Sequence, residues 1–164
     1  MNGRIVLLAL LVTVVIPLAT MAQQQDSELT TREEWVANYN KFGIAATVSL
    51  PYGDFSEDRT TGYGLQGLVD FPFVPLINLA GTIGWSHFPE DGDVEPVDIW
   101  YVNIGGRLVL ASFYMSGQTG YYSELDQWGW VPGFGFRFTQ LELGLEYVGA
   151  SKGAWTTLRV GWYF

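Results

Sequence analysis

The chain has 164 residues, of which 48% are hydrophobic and 16% aromatic, so it is long and apolar enough for one folded domain and is not a disordered tail. It contains no cysteine, which excludes a disulfide framework and a lipid-modified cysteine at a cleavage site. The formal net charge of -9 excludes a basic nucleic-acid-binding surface, so we expect no nucleic acid partner.

Residues 1–22 predict a secretory signal peptide that is cleaved. A basic start ending at Arg4 precedes an apolar run over 5–16, Pro17 ends the run, and small residues up to Ala22 form a cleavage site. The alternative is a retained membrane anchor, but the run is shorter than the roughly 20 residues that a spanning helix needs. Since Arg4 is the only charged residue before residue 23, the mature chain keeps seven basic and 17 acidic residues, a net charge of -10.

Residues 23–40 predict a short polar leader on the periplasmic side. Within Thr30–Asn40, a threonine followed by Glu33 and Glu34 fits the cap of one or two helical turns. No apolar stretch after residue 22 has the length of a transmembrane helix. A mature protein that resides in a bilayer must therefore span it as a closed barrel.

From residue 41 to residue 164, large apolar residues alternate with small or polar ones. In the last segment, one side is formed by Leu158, Val160, Trp162 and Phe164 and the other by Arg159, Gly161 and Tyr163. This period of two is typical of extended strands. Turn-forming clusters divide the region into about eight segments, each near the ~10 residues that cross a bilayer at a tilt. The pattern predicts an all-β fold, an antiparallel up-and-down transmembrane barrel of about eight strands.

The alternation alone also fits a soluble barrel with its large residues inside. The interior of an eight-stranded barrel is only wide enough for ordinary side chains. It has no room for seven tryptophans and most of ten phenylalanines. The face with small residues carries about one charge per strand, which makes a poor water-facing surface. We therefore expect the large residues to face lipid and the small ones to face the lumen.

Aromatic residues sort by depth along the predicted strands. Barrels that span a bilayer carry aromatic girdles at both interfaces. If the chain starts on the periplasmic side, the outer girdle is predicted to contain Trp85, Trp100, Tyr121, Trp128, Trp130, Tyr147 and Trp155. This sorting favours the membrane barrel over the soluble one.

Together these features resemble the small outer-membrane β-barrel proteins of the OmpA/OmpX-like class of Gram-negative bacteria, over residues 41–164. In that class, a last strand that ends in an aromatic residue and has apolar residues at every second position is the signal for the barrel assembly machinery. The matching positions are Leu158, Val160, Trp162 and Phe164. The resemblance implies a location in the bacterial outer membrane, in contact with its lipid and lipopolysaccharide, and we expect a monomer.

The connecting segments depart from this class. Those at 52–61 and 89–97 are modest in length, and those near 124–126 and 149–153 are very short. A role that depends on large surface loops, such as phage or host receptor binding, is therefore disfavoured.

Six charged residues are predicted to point into the lumen: Asp70, Arg107, Arg137, Glu142, Glu146 and Arg159. Counting through the turn near Thr139 places Arg137 opposite Glu142, which predicts a cross-strand ion pair. Because buried charges need partners, the first interpretation is an interior network of salt bridges and hydrogen bonds. The alternative is a gated path for protons or ions.

The only histidine, His87, lies beside Ser86 and before Glu90, which invites comparison with the Ser-His-acid sites of outer-membrane lipid A deacylases and acyltransferases. Adjacent residues of a strand point to opposite faces, and a triad is defined by geometry and not by proximity in sequence. The motifs of those enzymes are not matched. We therefore predict no catalytic residues and no enzymatic activity.

The segment Pro89–Asp98 is acidic and rich in turn residues, with Asp91, Asp93 and Glu95 at alternate positions. It lacks the ligand order and the glycine of an EF-hand. The first interpretation is a solvated loop, and the alternative is weak binding of Ca²⁺ or Mg²⁺ that bridges to lipopolysaccharide. We assign no metal ligands and no cofactor.

The predicted function is that of a small structural outer-membrane barrel that contributes to envelope integrity or surface interaction without catalysis. The alternatives are a narrow channel or carrier for small solutes, and an outer-membrane lipid-modifying enzyme. A continuous lumen would favour the channel. A lipid-facing pocket with convergent polar groups would favour the enzyme.

Overall fold

The computed structural model describes residues 42–57, 59–74, 76–90 and 95–164, so the predicted signal peptide, the leader and the helical turns at Thr30–Asn40 lie outside the described residues. The elements in chain order are β1 (Phe42–Tyr52), α1 (Asp54–Glu57), β2 (Gly62–Val74), β3 (Ile77–Phe88), β4 (Val97–Leu110), β5 (Phe113–Tyr122), β6 (Gln127–Phe138), β7 (Leu141–Ala150) and β8 (Gly153–Tyr163). Over these parts of the chain, no helix is long and apolar enough to cross a membrane.

The eight strands form a closed antiparallel barrel in which each strand pairs with its neighbours in sequence. β1 and β8 close the barrel, with Gly43 opposite Tyr163 at one end and Tyr52 opposite Ala154 at the other. Because both edges of every strand are paired, the backbone polar groups of the strands are satisfied within the barrel, as hydrocarbon requires. The predicted fold class is confirmed.

The two ends of the barrel differ in their connections. At one end, only residues 75–76, 111–112 and 139–140 separate consecutive strands, and Ala111 and Thr139 take left-handed backbone conformations with φ of 54° each. At the other end, the connections are 53–61, 89–96, 123–126 and 151–152. Transmembrane barrels have short periplasmic turns and longer extracellular loops. By analogy with that pattern, the first end is here called the periplasmic end and the second the extracellular end.

The outer face of the barrel is apolar. Large hydrophobic side chains point away from the interior on every strand, and Leu65 and Ile104 are 62% and 66% exposed. A continuous exposed apolar surface of this kind needs a non-aqueous medium. The direction predicted for the large residues is confirmed.

The girdle prediction is wrong for Trp155. Trp155 is 1% exposed and points into the barrel, where its ring lies against Phe88 and Tyr122. Side chains alternate along a strand, so residue 155 shares the inward face of Arg159 and not the outward face of Leu158. The other predicted members do point outward near the extracellular end: Trp85, Trp100, Tyr121, Trp128, Trp130 and Tyr147.

Inward-facing glycines make room for large side chains in the narrow lumen. The hydroxyl of Tyr114 lies over β6 and β7, and a Cβ added at Gly135 or Gly144 would approach it to 2.6 or 2.5 Å. Tyr101 occupies the space beside Gly84 in the same way. Tyrosine side chains therefore occupy the space beside inward-facing glycines, so the lumen does not contain small residues alone.

Candidate functional sites in the lumen and on the outer rim

The six predicted lumen charges all lie inside the barrel and form one continuous network. Five of their side chains are at most 4% exposed, and that of Arg137 is 10% exposed. Three guanidinium groups balance three carboxylates, so the network has no formal net charge. A neutral network of this kind meets the requirement that buried charges be paired.

Glu142 of β7 is the centre of the network. One of its carboxylate oxygens lies 2.8 Å from Nη1 of Arg107, and the other lies 2.6 Å from Nη2 of Arg159. The hydroxyl of Tyr114 donates to the second oxygen at 3.1 Å. Strands β4, β5, β7 and β8 therefore meet at a single carboxylate.

The network extends from this centre in both directions. Toward the periplasmic end, Asp70 accepts hydrogen bonds from Arg107 at 2.8 Å and from Arg137 at 3.1 Å. Toward the middle of the barrel, Arg159 donates to Glu146 at 2.6 Å. Successive ion pairs therefore link positive and negative groups in alternation, in the order Arg137, Asp70, Arg107, Glu142, Arg159 and Glu146.

The partner predicted for Arg137 differs from the one in the structure. Its Cα is opposite that of Glu142, as the turn count predicted. Its guanidinium group, however, donates to Asp70 and stacks on the ring of Tyr163, 3.7 Å from the ring centre. Long side chains reach across a narrow lumen, so position on the wall does not determine the ionic partner.

Uncharged polar side chains extend the network. Gln66 of β2 donates to the hydroxyl of Tyr101 at 2.9 Å and accepts from Arg159 at 3.2 Å. These side chains were not among the predicted site residues, although the period of two places them on the inward face. Their hydrogen bonds are what a buried ionic cluster needs for its remaining donors and acceptors.

The extracellular half of the lumen contains a cluster of buried hydrophobic side chains, here called the apolar plug: Phe88, Ile99, Tyr101, Tyr122, Leu125, Val131, Val148 and Trp155. Two loops close its mouth. Leu125 enters from the 123–126 connection, and Phe55 of α1 lies 5.1 Å from Phe88 and 5.6 Å from Trp155 between ring centres. The lumen therefore has an ionic layer and an apolar layer stacked along its axis.

The predicted divergence of Ser86 and His87 is confirmed. Ser86 is 1% exposed inside the barrel, whereas His87 is on the outer face at the extracellular end. Nδ1 of His87 lies 2.9 Å from Oδ1 of Asp98, and Trp85 Nε1 donates to the same oxygen at 2.9 Å. Since the barrel wall separates Ser86 from the His87 ring, the two do not form a nucleophile and base pair.

A metal site is not evident in the part of the chain that the structure describes. No group of three or more histidine or acidic side chains converges there. Residues 91–94 of the acidic segment lie outside that part. Cation binding by Pro89–Asp98 therefore stays a prediction.

Comparisons with known proteins bear on the fold. No protein-family model and no curated protein sequence matches this chain. The crystal structure of Ail, the attachment invasion locus protein of Yersinia pestis, is similar with a TM-score of 0.52 and 14% sequence identity, over 74% of this chain and 94% of Ail. The crystal structure of Ail in complex with the heparin analogue sucrose octasulfate gives a TM-score of 0.50 and 15% identity over the same shares. The chain therefore has the closed eight-stranded barrel fold of the OmpA/OmpX-like class of outer-membrane proteins.

Proposed function

We propose that this chain is a small structural barrel of the bacterial outer membrane, exported by its signal peptide, which contributes to envelope integrity or surface interaction and performs no catalysis. The observation that carries this proposal is the filled lumen. The ionic network occupies the periplasmic half and the apolar plug occupies the extracellular half. A solute or ion would have to displace both layers. The outer face and the extracellular loops are then the surfaces through which the protein acts.

The last strand supports assembly as an outer-membrane barrel. Val160 and Trp162 are exposed on the outer face of β8, in line with Leu158, and Phe164, directly after the strand, is exposed as well. Before a barrel closes, the unpaired edge of its last strand is accessible to another protein by strand addition. We propose that these four residues are read by the barrel assembly machinery and that the assembled protein is a monomer.

The charge of the extracellular loops limits the chemical class of partner that this surface would bind. By sequence, nine acidic residues and two basic residues lie in the four loops, which gives a net charge of -7. The acidic ones are Asp54, Glu57, Asp58, Glu90, Asp91, Asp93, Glu95, Glu124 and Asp126, and the basic ones are Arg59 and Lys152. Such a surface repels polyanions and attracts cations. We therefore propose a neutral or cationic partner, in contrast to the sulfated heparin analogue in the Ail complex.

Refolding of residues 23–164 in lipid vesicles, followed by gel electrophoresis and planar-bilayer recording, tests this proposal. We expect a folded form whose gel mobility changes on heating, and no unit conductance, because the lumen is filled. A folded, monodisperse protein in plain buffer would overturn the membrane assignment. Reproducible unit conductance would favour the channel, and release of fatty acid from phospholipid or lipid A would favour the enzyme.

A further inference from the structure

A depression interrupts the apolar outer face between β8 and β4. It has a volume of about 590 Å³ and a lining that includes Ile44, Leu65, Ile83 and Val160. It exists because Ala46 and Gly67 provide little or no side chain where neighbouring positions carry isoleucine or leucine. The depression is continuous with the lipid-facing surface, and its size suits a small apolar ligand.

The depression leads to an aromatic cluster at the extracellular interface. Trp85 and Trp100 line the end of the depression that is nearer the extracellular side, with ring centres 6.4 Å apart. Beside them, Tyr63 lies 6.2 Å from Trp85 and 5.2 Å from His87. Together with Asp98 these residues are here called the rim cluster. It is placed where the headgroup of a lipid would lie if one of its acyl chains filled the depression.

The chemistry of the rim cluster suits a cation. The side chain of Asp98 is 57% exposed. Trp85 and His87 both donate hydrogen bonds to its Oδ1, and among the described residues no side chain donates to Oδ2. A carboxylate oxygen beside exposed aromatic rings offers an ammonium group both a charge-assisted hydrogen bond and cation–π contact. The net charge of -7 on the loops also disfavours a headgroup with a net negative charge, whereas a zwitterionic headgroup that carries an ammonium group has no net charge.

We propose that the depression and the rim cluster bind one phospholipid with an ammonium headgroup, phosphatidylethanolamine being the simplest. One acyl chain lies in the depression, and the ammonium group donates to Asp98 against the rings of Tyr63 and Trp100. This inference rests on the proposed membrane location. It adds a specific lipid partner to the general contact with the bilayer.

Native mass spectrometry of residues 23–164 in detergent tests the proposal, with phosphatidylethanolamine, phosphatidylglycerol and lipid A titrated separately. We expect phosphatidylethanolamine to bind at least tenfold more tightly than phosphatidylglycerol. Gly67→Leu fills the depression and should reduce this binding at least tenfold. Gly117→Leu is the matched control, because Gly117 is an exposed glycine in the middle of β5 with open space around an added Cβ. Asp98→Asn should keep the lipid but reduce the headgroup preference to below threefold.

The outcomes separate this proposal from the one on which it rests. The heat-induced change in gel mobility shows whether each variant folds, and Ala46→Leu fills the same depression should Gly67→Leu fail to fold. Equal lipid binding by the Gly67 and Gly117 variants would overturn the site. Equal or tighter binding of phosphatidylglycerol or lipid A would overturn the headgroup assignment. A wild-type chain that does not fold in detergent or lipid would instead overturn the proposed function.

Discussion

The two halves of the lumen fill the same narrow space in opposite ways. The periplasmic half pairs charges around Glu142, and the extracellular half packs aromatic and aliphatic side chains around Trp155. In the first, each group depends on a specific partner, because an unpaired buried charge costs several kcal/mol. In the second, any side chain of suitable volume and shape serves, because burial of apolar area is not directional. The halves should therefore fail differently when one residue is removed.

The largest expected effect is that of Glu142→Ala. Removal of this carboxylate leaves Arg107 and Arg159 without their shared acceptor. Breaking a buried ionic cluster from one side costs about 4 kcal/mol. Glu142→Gln keeps the shape but not the charge, so we expect it to lose much of the same stability. The measurement is urea unfolding in lipid vesicles, with Glu90→Ala in an exposed loop as the control. A loss below about 1 kcal/mol for Glu142→Ala would show that the network is not held by pairing.

A somewhat smaller loss is expected for Trp155→Ala in the apolar plug. Truncation of a buried tryptophan costs about 3 kcal/mol through lost burial and the cavity that remains. Trp155→Phe keeps most of the ring contacts with Phe88 and Tyr122, and should cost clearly less. Trp100→Ala, on the outer face, is the control in the same unfolding experiment. If Trp100→Ala destabilised the barrel as much as Trp155→Ala, the inward position of Trp155 would be in doubt.

The smallest expected effect is a difference in coupling energy between two residue pairs of the network, one joined by an ion pair and one linked through intermediate ion pairs. Arg107 forms an ion pair with Glu142, whereas Arg137 forms one with Asp70, which in turn pairs with Arg107. Residues in direct contact show coupling of about 0.5 to 3 kcal/mol in double-mutant cycles. We expect the Arg107 and Glu142 cycle to exceed the Arg137 and Glu142 cycle by about 1 kcal/mol. Equal coupling in the two cycles, with alanine substitutions throughout, would support the cross-strand pair that the register suggested.

Most of the barrel could be predicted from the period of two in the sequence. The inward positions of all six network charges followed from it, because successive side chains of a strand face opposite sides. The same count applied to β8 would have placed Trp155 inside with Arg159. The girdle criterion instead sorted aromatic residues by depth alone and put Trp155 outside. An aromatic residue can be assigned to the girdle only when both its position along the barrel axis and the face of the strand on which it lies are known.

The sequence by itself determined which side chains face the lumen, because alternation along a strand is a local property of the extended backbone. It also determined the balance of three buried arginines and three buried carboxylates. Tertiary structure alone decided which of them meet. Closing the sheet brings β2, β4, β7 and β8 across a lumen only a few side chains wide, so Glu142 binds Arg107 and Arg159 while Arg137 turns to Asp70. Contacts across a barrel depend on its closure and width, which no local pattern in the chain contains.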